Sequence, residues 1–467
     1  MTMTGVLSDK PTICDKLDRE EMVQGIAWRV RNCTPPFTFG IHGDWGAGKT
    51  SFLKQLRFAL DGSRDPDDET PSLTLRGRNP PKNVVTVWFE AWRYQNEPVP
   101  VVALIHEIRK QIGRWAALNK QAEKLTNVTA RAVLGSIDDI SKLLRLEAIP
   151  FSPSRIQEIG EKYEKENLQE KLGSNSIQEH LDDAVSSVLK NLAGNSARLV
   201  VFIDDLDRCS PESAFRLLEG LKIYLGLSRC VFVIGMNQQL VVDSIGACIP
   251  ASSYPDETTS KSAFAKVRAE AYLEKICTSI ERLVPIVPSA SLMRAWIQDA
   301  RLREELEAIS EQRLNDAWYL PPNPRRLKAL VNQIEQAFKV VVRKDEKFGS
   351  GVYVRSLLII VYVYQFHSEL FQRWQFNPSF FTHLREWVGS SDSGPQVWPS
   401  YLKCLELPVR QVRMDTQDGS VRFRSEKKFP DPYSSSVFWV APLLIDNDIN
   451  EQVVTEVMKA LFGSRVR

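Results

Sequence analysis

The chain has 467 residues, of which 43% are hydrophobic and 25% are charged. These fractions are typical of a globular chain with an ample core, and they exclude a collagen, a disordered chain and a small disulfide-stabilised protein. Lys and Arg number 60 and Asp and Glu number 58, so the net charge of +2 gives no global field that would attract nucleic acid or an anionic membrane.

Features of exported and membrane proteins are missing from the sequence. The seven Cys form no Cys-x-x-Cys pair, and residues 1–10 contain no basic region that leads into an apolar stretch. The longest apolar run, residues 357–364, has eight residues, whereas a helix that spans a bilayer needs roughly twenty. We therefore expect reduced thiols, no signal peptide, a cytoplasmic location and no transmembrane segment.

Strands and helices alternate along the first half of the chain. Short apolar runs indicate strands at residues 37–42, 84–89, 198–203 and 231–234. Because these runs are apolar throughout and are separated by helical segments, they predict a parallel sheet covered on both faces. The other predicted elements are a helical lead-in at 1–36, a helix that ends at 61–62, a Pro-rich loop at 61–82, a helical insert at 98–195, and helices at 263–283, 292–310 and 324–342.

A glycine-rich segment follows the first predicted strand. Residues 43–50 match G-x-x-x-x-G-K-[ST] between a predicted strand and a predicted helix, which is the context that this phosphate-binding loop requires. Its glycines let consecutive backbone N–H groups surround phosphate oxygens at the N-terminus of a helix. Lys49 would contact the β- and γ-phosphates, and the Thr50 hydroxyl would bind Mg²⁺. The predicted nucleotide-binding residues are Gly43, Asp44, Trp45, Gly46, Ala47, Gly48, Lys49, Thr50 and Ser51.

Two acidic residues, Asp204 and Asp205, directly follow the clearest predicted strand. Acids at the carboxyl end of a buried parallel strand face the crevice where ligands bind. Asp204 is therefore the predicted Mg²⁺ ligand, and Asp205 is the predicted base that polarises the attacking water. The alternative is that one of them caps the helix that begins near residues 210–212, but Asp207 or Ser210 fits that role better.

Five segments carry a resemblance to a known family. They read IHGDWGAGKTSFL (residues 41–53), WFEAWRY (88–94), IDDLDRC (203–209), YLEKI (272–276) and NPRRLK (323–328). In these segments the chain resembles the KAP family of P-loop NTPases. The resemblance implies an ATPase that uses ATP and Mg²⁺, in which another strand separates the P-loop strand from the strand that precedes the acids.

The resemblance also implies arginines near the nucleotide, in a helical region after the core. Arg208, Arg325 and Arg326 are the candidates for catalytic arginines. Asn323 and Pro324 form a good helix start by their own chemistry, and this helix would present Arg325 and Arg326. The alternative is that these two arginines are solvated residues of an amphipathic helix.

The sequence departs from the family pattern at two places. Many members carry transmembrane helices within the NTPase domain, but the insert at 98–195 has no apolar run of the necessary length. Asn237 follows the fourth predicted strand, where the family often has Asp. As a polar residue at the end of a strand, Asn237 is a candidate for holding the lytic water between strands, and an ordinary residue of a strand-end turn is the alternative.

These observations predict an α/β fold. It consists of a P-loop NTPase core with a parallel sheet flanked by helices, a helical insert, a helical region after the core and a small mixed C-terminal part. The predicted division is a helical lead-in at 1–36, the core at 37–245 with its insert at 98–195, the helical region at 246–345, and an α+β region of unknown role at 346–467.

Two weaker patterns have competing interpretations. We interpret the aromatic cluster Trp88, Phe89, Trp92 and Tyr94 as core beneath a sheet edge rather than as a stacking or partner surface. Alternation of apolar and basic residues around 418–419 predicts a hairpin. Its basic residues would track nucleic-acid phosphates or, as we prefer, prevent aggregation between sheet edges. They are Arg413, Arg422, Arg424, Lys427 and Lys428.

The function predicted from these residues is ATP hydrolysis that acts as a nucleotide-dependent switch. ATP is preferred over GTP because no Asn-Lys-x-Asp follows a predicted strand. An arginine could come from a second subunit, so a homo-oligomer or a protein partner is compatible with the motifs. The resemblance implies a role in phage or plasmid exclusion for bacterial members. Two alternatives stay open: an ATP-binding scaffold with negligible turnover, and a kinase whose acceptor has no recognisable motif.

Overall fold

The computed structural model describes two compact units. The sheet unit comprises Pro11–Ile286, and the C-terminal unit comprises Met1–Lys10 with Val287–Arg467. The residues described are 6–64, 83–97, 99–118, 174–224, 226–248, 261–284, 289–313, 323–377, 380–382, 385, 409–415, 421–427 and 448–463. Most of the predicted loop at 61–82, the middle of the predicted insert and the predicted turn at 418–419 lie outside them.

The sheet unit alternates strands and helices along the chain. Its strands are β1 (Phe37–His42), β2 (Val84–Glu90), β3 (Arg198–Asp204), β4 (Cys230–Met236) and β5 (Ser279–Arg282). Its helices are α1 (Glu20–Asn32), α2 (Lys49–Asp61), α3 (Pro100–Leu118), α4 (Ser174–Ala193), α5 (Pro211–Tyr224), α6 (Gln238–Cys248) and α7 (Lys261–Ile276). Short 3-10 turns at Ala91–Tyr94 and Leu206–Arg208 follow β2 and β3.

All five strands of this sheet are parallel, in the spatial order β2-β3-β4-β1-β5. β4 lies between β1, which leads into the glycine-rich loop, and β3, which leads into the acidic segment. Gly40 of β1 and Ile203 of β3 both pair with Ile234 of β4, so β1 and β3 end at the same edge of the sheet. The predicted α/β fold, with a strand between the two that carry the motifs, is confirmed.

Helices on both faces of the sheet explain the apolar run of β3. Leu199, Val201 and Ile203 pack with helices α3 to α7. Val200 and Phe202 pack on the opposite face with α1 and α2. Because both faces are covered, all five side chains are fully buried. Burial of one such large apolar side chain contributes about 1.5–3 kcal/mol, so the sheet is anchored at this strand.

Helix α3 covers the outer edge of β2. The Gln111 side chain accepts the backbone N–H of Trp88 (2.8 Å) and donates to its backbone O (2.6 Å), so an amide takes the place of a further strand. Of the aromatic residues predicted to be core, Phe89 is buried and Trp88 stacks on Phe202. The prediction is wrong for Trp92, because its side chain is exposed on the short turn after the strand.

Two helix predictions after residue 245 are wrong in their extent. The predicted helix at 263–283 ends at Ile276, and β5 follows it beside β1, beyond the predicted end of the core. The β5 sequence, SIER, has no apolar run, and for that reason the pattern does not reveal a strand. The predicted helix at 292–310 is two helices, because the Asp299 carboxylate accepts the N–H groups of Arg301 (3.0 Å) and Leu302 (3.2 Å) and thereby caps a new helix.

The C-terminal unit consists mainly of helices. Its elements are α8 (Ser289–Trp296), α9 (Ala300–Arg313), α10 (Pro324–Lys344), α11 (Gly351–Phe366), α12 (Ser368–Phe376), β6 (Val409–Asp415), β7 (Val421–Lys427) and α13 (Glu451–Phe462). The predicted helix α10 and the predicted antiparallel hairpin β6–β7 are confirmed. The longest apolar run lies within α11, where residues 357–363 are buried and Tyr364 is exposed. Among the described residues, no helix is both long enough and apolar enough to cross a membrane.

Candidate functional site

The glycine-rich loop forms the turn between β1 and α2. Gly46 and Gly48 have φ angles of 83° and 88°, a left-handed region that favours glycine. The N–H of Gly43 donates to the backbone O of Met236 at the end of β4 (3.1 Å), which fixes the start of the loop. Trp45, within the loop, is exposed. The loop therefore lies at the N-terminus of a helix, where backbone N–H groups and the helix dipole favour an anion.

The Lys49 ammonium lies inside this loop. Its Nζ donates to the backbone O of Gly43 (2.8 Å) and of Asp44 (3.4 Å). It also forms an ion pair with Asp207 Oδ2 (3.1 Å), in which the exposed fractions of the two side chains are 9% and 3%. Lys49 thus lies at the predicted phosphate site, but a buried carboxylate contacts it there.

Asp207 is a site residue that the sequence analysis missed. Of the two residues considered as a helix cap, Ser210 has that role, because its Oγ accepts the N–H of Ser213 at the start of α5 (3.4 Å). Asp205 has a φ of 58°, in the left-handed region, and this turn brings Asp207 back to Lys49. The third acid in the segment IDDLDRC is the signal that could have found it.

Asp204 and Thr50, the two predicted metal ligands, lie together. The Thr50 hydroxyl donates a hydrogen bond to the buried Asp204 carboxylate, and Asp204 Oδ1 has no hydrogen-bond partner among the described residues. Burial and the negative charge of Asp205 raise the pKa of Asp204 to about 7. A buried carboxylate oxygen without a partner, beside a hydroxyl, fits a hard cation such as Mg²⁺.

Asp205 and Arg208, two predicted catalytic residues, are paired with each other. Arg208 Nε lies 2.9 Å from Asp205 Oδ1, and the exposed fractions of the two side chains are 40% and 22%. Ion pairs that are this accessible to solvent contribute only about 0–1 kcal/mol, so a ligand can separate them at little cost. The predicted base is therefore accessible, with an arginine beside it.

Asn237 joins β4 to α6, and its role at a lytic water stays a prediction. Its Oδ1 accepts the N–H groups of Gln239 (3.1 Å) and Leu240 (3.3 Å), which caps α6. Its Nδ2 donates to Asp44 Oδ1 in the loop (3.4 Å), and its backbone N–H donates to Asp207 Oδ2 (3.1 Å). Asn237 is thus a helix cap that also contacts the candidate site.

His42 connects the end of β1 to the same helix start. Burial and the positive charge of Arg282 lower the pKa of His42, so its ring is neutral. The neutral Nδ1 accepts the backbone N–H of Gln238 (2.9 Å). No feature of the sequence indicates this contact, since it joins the end of β1 to the start of a helix that is distant in the chain.

Arg19 supports the loop from the segment before α1. Its Nη1 donates to the backbone O of Ala47 (2.8 Å), and its side chain is buried. In the same segment, the Thr12 N–H donates to Ser51 Oγ (3.1 Å), so this predicted nucleotide-binding hydroxyl holds the chain before α1. Arg19 lies far from the motif in sequence, and spacing arguments therefore do not find it.

Arg325 and Arg326 begin α10 in the C-terminal unit. The Asn323 side chain accepts both of their backbone N–H groups, at 3.1 and 3.3 Å, so the predicted helix cap is confirmed. Arg325 Nε pairs with Asp9 Oδ2 (2.5 Å) in the N-terminal segment of the same unit. The roles of both arginines at a nucleotide stay predictions.

The parallel sheet and the loop together define a class, the P-loop NTPases. The model of the KAP family P-loop domain matches residues 19–340, which is more than half of the chain, and the chain therefore belongs to the KAP family. An uncharacterized protein of Methanocaldococcus jannaschii is 26% identical over 161 residues, and the match covers 30% of this chain and 83% of that protein.

Proposed function

We propose that this chain binds and hydrolyses ATP with Mg²⁺ at the loop between β1 and α2. The observation that carries the proposal is the convergence of Lys49, Thr50 and the partnerless Asp204 Oδ1 at the carboxyl edge of the sheet, with the accessible Asp205 next in the chain. Membership of the KAP family supports nucleotide binding and hydrolysis in general. The preference for ATP rests on the sequence.

Each residue has a separate task in this proposal. The loop N–H groups and Lys49 bind the phosphates. Thr50 and Asp204 would hold Mg²⁺, which when bound would supply positive charge against the negative charge of the phosphates. Asp205 orients the attacking water and accepts its proton, and Arg208 then stabilises the charge on the transferred phosphoryl group.

One observation favours a second function, a scaffold that binds ATP with negligible turnover. The carboxylate that would activate water is engaged by Arg208 at 2.9 Å. If this pair persists when nucleotide is bound, the base is unavailable. ATP would then order a partner surface rather than be consumed.

The test is phosphate release from ATP by the unmutated protein, Lys49→Ala and Asp205→Asn. We expect each change to lower turnover by about 100-fold or more, because each removes a group that acts on the reacting phosphate or water. Lys190→Ala, on the exposed surface of α4, is the matched control and should keep full activity. Binding of ATP without phosphate release would favour the scaffold, and phosphate transfer only with an added acceptor would favour a kinase.

The biological part of the proposal is a cytoplasmic switch in phage or plasmid exclusion. It is supported only by the family resemblance of the sequence. We expect a bacterial strain that expresses the chain to show reduced phage plating or plasmid maintenance, and Lys49→Ala to restore both. Equal plating and maintenance with and without the chain would count against this role.

A further inference from the structure

The buried contact between Lys49 and Asp207 has a consequence for nucleotide binding. A lysine ammonium has three hydrogen-bond donors. In this structure it faces three acceptors: the backbone O of Gly43, the backbone O of Asp44, and Asp207 Oδ2. A phosphate oxygen that binds Lys49 must therefore replace one of them.

Asp207 is the acceptor that an arriving phosphate most readily replaces. Gly43 and Asp44 belong to the loop itself, and their oxygens are uncharged. Asp207 is an anion, so it repels a phosphate that approaches the same ammonium. The ion pair of Lys49 is with Asp207, whereas Asp205 pairs with Arg208 and Asp204 accepts a hydrogen bond from Thr50.

The same oxygen of Asp207 has a second partner. Oδ2 also accepts the backbone N–H of Asn237 (3.1 Å), the residue that caps α6. Loss of Asp207 from Lys49 would therefore change the hydrogen bonding at the start of α6. We propose that Asp207 competes with the nucleotide phosphates for Lys49, and that this competition couples phosphate binding to the start of α6. The proposal rests on the proposed function, since it assumes a nucleotide at the loop.

The test compares Asp207→Asn with Asp205→Asn in the full chain, with ADP as the probe and EDTA present so that neither turnover nor metal contributes. Both changes remove one negative charge from the same turn, but only Asp207 contacts Lys49. We expect the ADP dissociation constant of Asp207→Asn to be about tenfold lower than that of Asp205→Asn. Equal effects would overturn the competition, because the gain would then come from the charge change alone.

Thermal unfolding without nucleotide gives an independent readout. Asp207→Asn leaves a buried ammonium without its counter-charge, so we expect its melting temperature to fall by roughly 5–10 °C, and ADP to restore more of it than in the unmutated protein. A melting temperature that does not fall, or that ADP raises no further than in the unmutated protein, would overturn the role of the buried pair.

A measurement on the unmutated protein applies even if Asp207→Asn does not fold. When Asp207 leaves, the Asn237 N–H loses its acceptor, so hydrogen exchange at Asn237 should be faster with ADP than with adenosine, which has no phosphate. Equal or slower exchange with ADP would overturn the coupling to α6. Absence of ADP binding to the unmutated protein would instead refute the proposed function, so the two failures are distinguishable.

Discussion

Replacement of Asp204 by Asn should stabilise the metal-free protein, and more so at alkaline pH. The pKa of Asp204 is raised from 3.8 to about 7, mainly by burial and then by the charge of Asp205. A folded-state pKa above the unfolded value means that the folded chain binds the proton more tightly. The contribution to stability is therefore fully present below pH 3.8 and is lost as the pH rises through about 7.

The magnitude follows from the same two pKa values. The complete loss is about 4 kcal/mol, and the part that falls between pH 5 and pH 8 is roughly 2–3 kcal/mol. Asn at position 204 does not titrate but keeps the size of the side chain. The free energy of unfolding of Asp204→Asn, relative to the unmutated protein, should therefore rise by roughly 2–3 kcal/mol from pH 5 to pH 8.

The assay is urea unfolding at pH 5 and pH 8 in EDTA without nucleotide. Because two compact units can unfold in separate steps, the transition to follow is the one that Mg²⁺ with ADP shifts in the unmutated protein. Asp205→Asn removes the neighbouring charge and should reduce the pH dependence of the unmutated chain. A difference between Asp204→Asn and the unmutated protein that is the same at both pH values would refute the reasoning.

Two further substitutions test the packing around the loop. At Gly235 of β4, an added Cβ would lie 2.7 Å from Leu53 Cδ1, so Gly235→Ala should lower the free energy of unfolding by about 1–3 kcal/mol. The control is Gly25→Ala in α1, where the added Cβ would have no heavy atom within 4 Å. This change should stabilise the protein, because Ala favours a helix more than Gly does. Arg19→Met removes the donor to the Ala47 carbonyl, so it should lower the free energy of unfolding in urea by about 1–3 kcal/mol. It should also weaken ADP binding, measured by calorimetry. An unchanged free energy of unfolding would show that the contact contributes nothing to stability.

The sequence reveals the part of the site whose residues are neighbours in the chain. The glycine spacing of the loop and the apolar run before Asp204 are local patterns, and each has a direct physical meaning. The cap formed by Asn323 is local as well, and its hydrogen bonds to the next turn follow from residue type alone. Predictions of this kind need no knowledge of how distant segments approach each other.

The contacts that escape the sequence depend on one backbone angle or on distant segments. The ion pair between Asp207 and Lys49 depends on the left-handed conformation of Asp205. A non-glycine residue seldom adopts this conformation, and no pattern in the sequence predicts it. Arg19 reaches the loop only because the chain before α1 folds back over it. β5 has only four residues, and three of them are polar, so its pairing with β1 rather than its composition makes it a strand.

The charges of the acidic segment explain why nucleotide and metal should bind together. Of its three carboxylates, Asp207 is paired with Lys49 and Asp205 with Arg208. Asp204 accepts hydrogen bonds from Thr50 and from the backbone of Asp205, but its Oδ1 has no partner among the described residues, and burial and the charge of Asp205 raise its pKa. A phosphate that binds Lys49 in place of Asp207 adds negative charge and leaves the Asp207 carboxylate without its counter-charge. The bound state therefore has a larger excess of negative charge than the free state, and a divalent cation at Asp204 is the addition that offsets it.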